Sequence, residues 1–192
     1  MKFINARTIQ LDRELSDLDI FVLDFVKVLE QHVHYVLISG YVAILFGRSR
    51  TTEDVDMFIE QLSPQKAIEL YNDLLAHNLW ALNASSGEDF YDALTKEKIA
   101  VRFARSGQAI PNVEVKLSKD FLDSMALQDQ IKVLVRGGHF YISDIAMQIA
   151  YKRSVLMSEK DLADAQYLQD VFSVSEENIN KCKRILKDHG RC

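Results

Sequence analysis

Two carboxylates, Asp54 and Asp56, are separated by one apolar residue in the run Asp54-Val55-Asp56-Met57-Phe58-Ile59. The β-branched and aromatic content of that run predicts a strand. Side chains alternate faces along a strand, so Asp54 and Asp56 project together while Val55 and Met57 turn to the opposite, buried face. Two like charges a few ångströms apart repel each other. A divalent cation removes that conflict, and Mg²⁺ favours a few carboxylates combined with water and substrate phosphates. The chemistry this pair suits is the holding of a metal-bound nucleoside triphosphate. In two-metal catalysis a further carboxylate joins; one metal activates the attacking hydroxyl and the other neutralises the leaving pyrophosphate.

Glu114 is the candidate third carboxylate. In Asn112-Val113-Glu114-Val115-Lys116-Leu117 the polar residues Asn112, Glu114 and Lys116 share one face. Glu114 can face the same metal if its strand lies beside that of Asp54 and Asp56. The plainer reading of the aspartates is an exposed strand edge that resists aggregation, and of Glu114 and Lys116 a solvated face with a cross-strand ion pair. Ahead of the aspartates, Ser39-Gly40 ends an apolar run before a short helix. Small residues there let backbone N–H groups approach phosphate oxygens. Gly40 is expected to supply conformational freedom, and Ser39 a hydroxyl for phosphate or metal. Arg48 and Arg50, in the polar loop before Asp54, are candidate phosphate contacts or plain loop charges.

These residues need elements to hold them. Apolar groups at Leu15, Leu18, Val22, Phe25, Val26, Leu29 and Val33 have helical spacing and predict a helix over 12–33. A buried strand over 35–39 follows, then a short helix over 41–46 ending at Gly47. Ser63 caps a helix from Pro64 to about Leu79. Residues 99–104 and 113–117 read as strands joined near Gly107, and 119–127 as a short helix. Residues 131–135 and 139–142 read as a hairpin turned by Arg136-Gly137-Gly138. The last third is helical: Ser143 is expected to cap 145–156, Ser158 with Asp161 forms a capping box, and Ser175 opens a third helix that stops before Gly190. The order favours an α+β (mixed α/β) fold, with a core over 1–142 that includes the N-terminal helix and a helical segment over 143–192 packed on it. That N-terminal helix either packs within the domain or serves a homodimer.

The segment Ile38-Ser39-Gly40-Tyr41, followed by Gly47-Arg48-Ser49-Arg50-Thr51-Thr52-Glu53-Asp54-Val55-Asp56, resembles the signature of the DNA polymerase β-like nucleotidyltransferase superfamily: a pair of small residues, a short interval, then Asp-x-Asp. Ser39 stands where the family usually has Gly. The Arg-x-Thr-x-Asp-x-Asp form looks closest to the AbiEii-like branch of minimal nucleotidyltransferases, many of them toxins of toxin–antitoxin pairs. A helix ending in Tyr151-Lys152-Arg153, then Lys160-Asp161-Leu162-Ala163-Asp164, is similar to a second motif of that branch, in the same order. The resemblance spans about residues 35–170.

It implies a mixed sheet flanked by helices, a Mg²⁺ (or Mn²⁺) cofactor and a nucleoside triphosphate substrate. Asp54 and Asp56 would bind the metal, and Ser39 and Gly40 would contact phosphate. Lys152 would reach the triphosphate, and Asp161 and Asp164 would support the site or position substrate. The reaction implied moves a nucleoside monophosphate to a hydroxyl on an RNA end such as that of tRNA, or on a protein. A toxin would add an antitoxin partner. The rival is a member that keeps the fold and binds a nucleotide or partner without turnover. Taken alone, Lys152 and Arg153 near a helix end and Asp161 and Asp164 in a first turn are also charges that complement helix dipoles.

Composition narrows the field. The chain has 192 residues, 48% of them hydrophobic, and a net charge of −5. No apolar run is long enough to span a bilayer, and the start lacks a secretory h-region, so the expected location is the cytoplasm. A whole-protein basic field for nucleic acid is absent, although Arg48, Arg50, Arg102, Arg105, Lys116 and Lys119 could form a local patch. Cys182 and Cys192 have no zinc spacing, and the five histidines are scattered.

Overall fold

The computed structural model describes residues 1–191, so Cys192 lies outside the described residues. Among these, strands β1 (Lys2–Asn5), β2 (Thr8–Gln10), β3 (Tyr35–Leu37), β4 (Asp54–Ile59), β5 (Leu79–Ala81), β6 (Val101–Arg105), β7 (Asn112–Leu117), β8 (Ile131–Val135) and β9 (Gly138–Ile142) form one mixed sheet in the order β1-β2-β8-β9-β3-β4-β7-β6-β5. The helices are α1 (Asp17–Leu29), α2 (Gly40–Leu45), α3 (Pro64–Ala76), α4 (Gly87–Asp92), α5 (Phe121–Gln128), α6 (Ile145–Tyr151), α7 (Glu159–Phe172) and α8 (Glu176–Asp188). The mixed α/β class expected from the sequence is the one observed. No helix among the described residues is long and apolar enough to cross a membrane.

Register divides the sheet into two faces. Phe103 is paired with Val113, and Val113 with Val55, so these three share a face. The ring of Phe103 meets Phe25 of α1, Tyr71 of α3 and Phe90 of α4. That face, with Val55, Met57 and Ile59 fully buried, is the main core. The other face carries Arg102, Glu114, Asp56, Phe58 and Lys116. It looks toward α5, α6 and α8 across a cleft. Apolar and polar residues alternate along β7 and the first half of β4 because each face has a different neighbour.

Several boundaries differ from the sequence reading. The first helix begins at Asp17, because Ser16 accepts a hydrogen bond from the Asp19 amide while the Asp19 carboxylate accepts from the Ser16 amide at 2.8 Å. The residues before it contribute the unforeseen β1–β2 hairpin, whose second strand runs parallel to β8. Helix α3 stops at His77, since Asn78 takes φ 65°, and the chain turns into β5. The cap of α6 is Asp144, which accepts from the Met147 amide at 2.9 Å; Ser143 instead accepts from the Gln148 side chain at 2.7 Å. Beyond Tyr151 the helix widens into a π-helical turn over Lys152–Leu156, a form that recurs at functional positions.

Asp19 does more than cap α1. Fully buried, it also accepts from the Tyr41 hydroxyl at 2.8 Å and pairs with Arg13 at 2.8 Å, which ties α1 to α2. Burial by itself would raise its pKa, but the Arg13 and Ser16 contacts outweigh that and hold the carboxyl below its ordinary value of 3.8. A group with a lowered folded pKa adds stability above its unfolded pKa and loses it as pH falls through the folded one. Asp19→Asn is therefore expected to cost about 3 kcal/mol at pH 7, in the range for breaking a buried pair. It should also flatten the acid limb of a stability–pH profile below pH 3.8. Urea melts at pH 7 and pH 3 measure both effects; identical pH slopes for the two proteins would refute the assignment.

Candidate active site

Strands β4 and β7 are parallel neighbours, with Asp54 opposite Asn112, Asp56 opposite Glu114 and Phe58 opposite Lys116. The adjacency that Glu114 needed is thus present. Asp54 is exposed at the strand start and accepts from the Thr52 hydroxyl at 3.0 Å. Asp56 is half-buried and Glu114 is buried. The Lys116 ammonium bridges an oxygen of Asp56 and Oε2 of Glu114, the latter at 3.2 Å. From β6, Arg102 Nε donates to Glu114 Oε1 at 2.6 Å. Burial alone would raise the Glu114 pKa, but Arg102 and then Lys116 hold it below the usual carboxylate range. Burial would likewise lower Lys116, and the Asp56 and Glu114 carboxylates instead raise it.

Two of the three expected carboxylates, Asp56 and Glu114, are brought together, the number that Mg²⁺ commonly takes from protein beside water and phosphate. Carboxylates from two adjacent strands already converge on one cation-sized point, which the Lys116 ammonium fills. Among the described residues no three carboxylate, imidazole or thiolate side chains are gathered at ligand spacing. Lys116 and Arg102 are the residues the sequence reading undervalued. Their signal was present, because Lys116 shares the strand face of Glu114, but which carboxylate it would neutralise depended on the β4–β7 register.

The Ser39–Gly40 turn works differently from expectation. Ser39, not Gly40, takes the left-handed conformation, with φ 65° and ψ −138°, and its side chain makes no capping hydrogen bond. Gly40 is needed for space: a Cβ there would lie 1.8 Å from Arg50 Nη2. A non-glycine residue in such a region costs roughly 1–3 kcal/mol. Ser39→Gly should therefore raise stability by about 1 kcal/mol net of the added unfolded-chain entropy. A thermal melt of the variant checks this, and a lower midpoint would remove the strain argument.

Arg48, Arg50, Lys152, Asp161 and Asp164 come together in a second cluster. Lys152 Nζ lies 3.0 Å from Asp161 Oδ1 and 2.9 Å from Asp164 Oδ2. Asp164 also pairs with Arg48 Nη1 at 2.7 Å and Arg50 Nε at 3.2 Å. The Lys152 and Asp164 side chains are 1% and 0% exposed, so this lysine is enclosed rather than presented to solvent. Asp161 is held below its ordinary pKa: burial opposes, but Ser158 and Lys152 prevail. The two arginine contacts to Asp164 Oδ1 are close charges without hydrogen-bond alignment, while Arg50 Nη2 donates to Asp164 Oδ2 at 3.3 Å. Three cations face two carboxylates, so the cluster carries surplus positive charge beside Gly40. Of the six residues in the expected basic patch, five are ion-paired: Arg48 and Arg50 to Asp164, Arg102 to Glu114, Arg105 to Asp24 and Lys116 to Asp56.

Ser39, Asp56 and Lys116 line one cleft of about 340 Å³. Its remaining walls are largely apolar, including Ile38, Phe58, Leu122 and Met147, with Gln148 and Tyr151 from α6. A pocket with apolar walls and a few convergent polar groups is the usual form of a small-ligand site.

Residues 22–106 match the model of a family described as "Nucleotidyl transferase of unknown function (DUF2204)". No curated protein matches the sequence. The solution structure of the antibiotic-resistance factor ANT(2'')-Ia is similar, with a TM-score of 0.57 at 8% identity, covering 88% of this chain and 91% of that one. A crystal structure of ANT(2'')-Ia with adenylyl-2''-tobramycin gives 0.55 at 9% identity, covering 88% and 95%. An antigenic nucleotidyltransferase-like protein from Paracoccidioides brasiliensis gives 0.51 at 17% identity, covering 92% and 90%. None of these singles out the AbiEii-like branch. Its sheet order, its flanking helices and these likenesses give this chain the nucleotidyltransferase fold.

Proposed function

We propose that this chain is a divalent-metal-dependent nucleotidyltransferase that moves a nucleoside monophosphate from a nucleoside triphosphate to a hydroxyl and releases pyrophosphate. The observation that carries the reading is the convergence of Asp56 and Glu114 on the Lys116 ammonium, at the edge of a cleft that Asp56, Lys116 and Ser39 line. Asp54, Asp56 and Glu114 would hold Mg²⁺ or Mn²⁺. Such a cation supplies charge neutralisation at phosphate and lowers the pKa of a bound hydroxyl. The protein's own work is positioning and electrostatic stabilisation. The Ser39–Gly40 turn would offer backbone N–H groups to phosphate. Arg50, which lies against Gly40, and Arg48, which shares Asp164 with it, would add positive charge near the turn. Lys152 contributes through Asp161 and Asp164, by fixing the helix that holds those arginines.

The acceptor classes are an RNA 3′ end such as that of tRNA, a protein hydroxyl, or a small molecule. The last is suggested by the adenylylated tobramycin in one structural neighbour. Action on RNA or protein would suit a cytoplasmic toxin with an antitoxin partner. One observation favours the rival reading of a binding protein without turnover: Lys116 and Arg102 already neutralise much of the carboxylate charge.

The test uses α-labelled nucleoside triphosphates with Mg²⁺ or Mn²⁺ and three acceptor pools: total RNA, protein, and hydroxylated small molecules. Label transfer with stoichiometric pyrophosphate release is the expected result. Tight nucleotide binding without transfer to any pool would establish the rival.

A further inference from the structure

The Lys116 ammonium occupies the point where the two carboxylates of adjacent strands meet. It touches one oxygen of Asp56 and one of Glu114, and it approaches from the same strand face as Glu114. We infer that Lys116 is a tethered counter-ion of this site, so that a divalent cation binds Asp56 only as the Lys116 ammonium leaves it. The inference rests on the metal-binding reading above and adds a residue that controls metal entry.

Three features support exchange over a fixed ion pair. The first is charge. Asp54, Asp56 and Glu114 with Arg102 and Lys116 leave one uncompensated negative charge. With Lys116 withdrawn there are two, the charge of one divalent cation. Second, the partners are unequal. Glu114 keeps Arg102 at 2.6 Å when Lys116 moves, whereas Asp56 has no other cation partner among the described ion pairs. Departure of the lysine therefore frees Asp56 and leaves Glu114 neutralised. Third, there is room. The Lys116 side chain is 32% exposed and lines the cleft, so a flexible four-carbon stem can turn into it. A nucleotide phosphate in that cleft would offer the displaced ammonium a new anion. Nucleotide and metal would then promote each other's binding.

Mn²⁺ binding tests this directly, without any turnover. The free Mn²⁺ signal is titrated by electron paramagnetic resonance against the whole protein, wild type and Lys116→Met, with no nucleotide present. The variant is expected to bind Mn²⁺ about tenfold more tightly or better, because a positive charge beside the ligand has gone. In EDTA its melting temperature should fall below that of wild type, and Mn²⁺ should raise it by more. If Lys116→Met does not fold, Lys116→Gln carries the same comparison. Equal or weaker Mn²⁺ affinity in the folded variant overturns the exchange while leaving the metal reading intact. Absence of Mn²⁺ binding to both proteins, with and without a non-hydrolysable triphosphate, overturns both.

Discussion

Asp56→Asn is expected to lower the rate of nucleotidyl transfer by about 1,000-fold while leaving the melting temperature nearly unchanged. The magnitude follows from removing one preorganised charge from a site whose catalysis is electrostatic. Asn keeps the shape of the side chain, so the strand and its cleft are retained. The small stability effect follows from the surroundings. Asp56 is half-buried, its partner Lys116 is 32% exposed, and like carboxylates lie near it. An ion pair of that kind contributes about 0–1 kcal/mol, and loss of the repulsion offsets part of it. Glu114→Gln should cost less activity, about tenfold, because Arg102 and Lys116 already hold that carboxylate. Initial rates of label transfer at saturating triphosphate measure both. An Asp56→Asn enzyme as fast as wild type would show that the carboxylate pair is not where the chemistry occurs.

The contrast between Asp56 and its supporting residues marks what the sequence could convey. Strand β4 was legible to the residue, Asp54–Ile59, because both signals were local: alternation along the strand and a polar loop before it. The Ser63, Ser158 and Ser175 caps were legible for the same reason. The β1–β2 hairpin was not. All four residues of β1 are exposed at the sheet edge, so no buried face imposes alternation, and β2 has three residues paired to a strand more than 120 positions away. Gly40 carried a visible glycine signal with the wrong cause attached. The atom that forbids a side chain there belongs to Arg50, ten residues on, and only the folded loop brings it close. Lys152 was expected to reach a triphosphate or, more plainly, to complement a helix dipole at the surface; it is buried instead. Its burial depends on how α7 packs against the π-helical turn, and no local pattern encodes that.

That packing makes a sharp stability prediction about the second cluster. Asp164→Ala should destabilise the fold by about 3–5 kcal/mol, the range for leaving buried charges uncompensated. Asp164 is fully buried and is the one carboxylate shared by Arg48, Arg50 and Lys152. Without it, three cations are left with Asp161 alone, and Arg48 and Arg50 lose the contact that ties their loop to α7. Lys152→Met removes a cation instead and roughly preserves volume. Arg48 and Arg50 then still compensate Asp164, and Asp161, whose side chain is 12% exposed, keeps its Ser158 hydrogen bond, so the cost should be clearly smaller, about 1–2 kcal/mol. The ordering, more than either value, is the discriminating result, because it follows from the surplus of positive charge. Denaturant unfolding of both variants with the wild type measures it. A Lys152→Met protein less stable than Asp164→Ala would mean that the aspartates, not the arginines, are the under-compensated groups. The surplus charge assigned to the neighbourhood of Gly40 would then have to be given up, and with it the electrostatic case for phosphate binding at that turn.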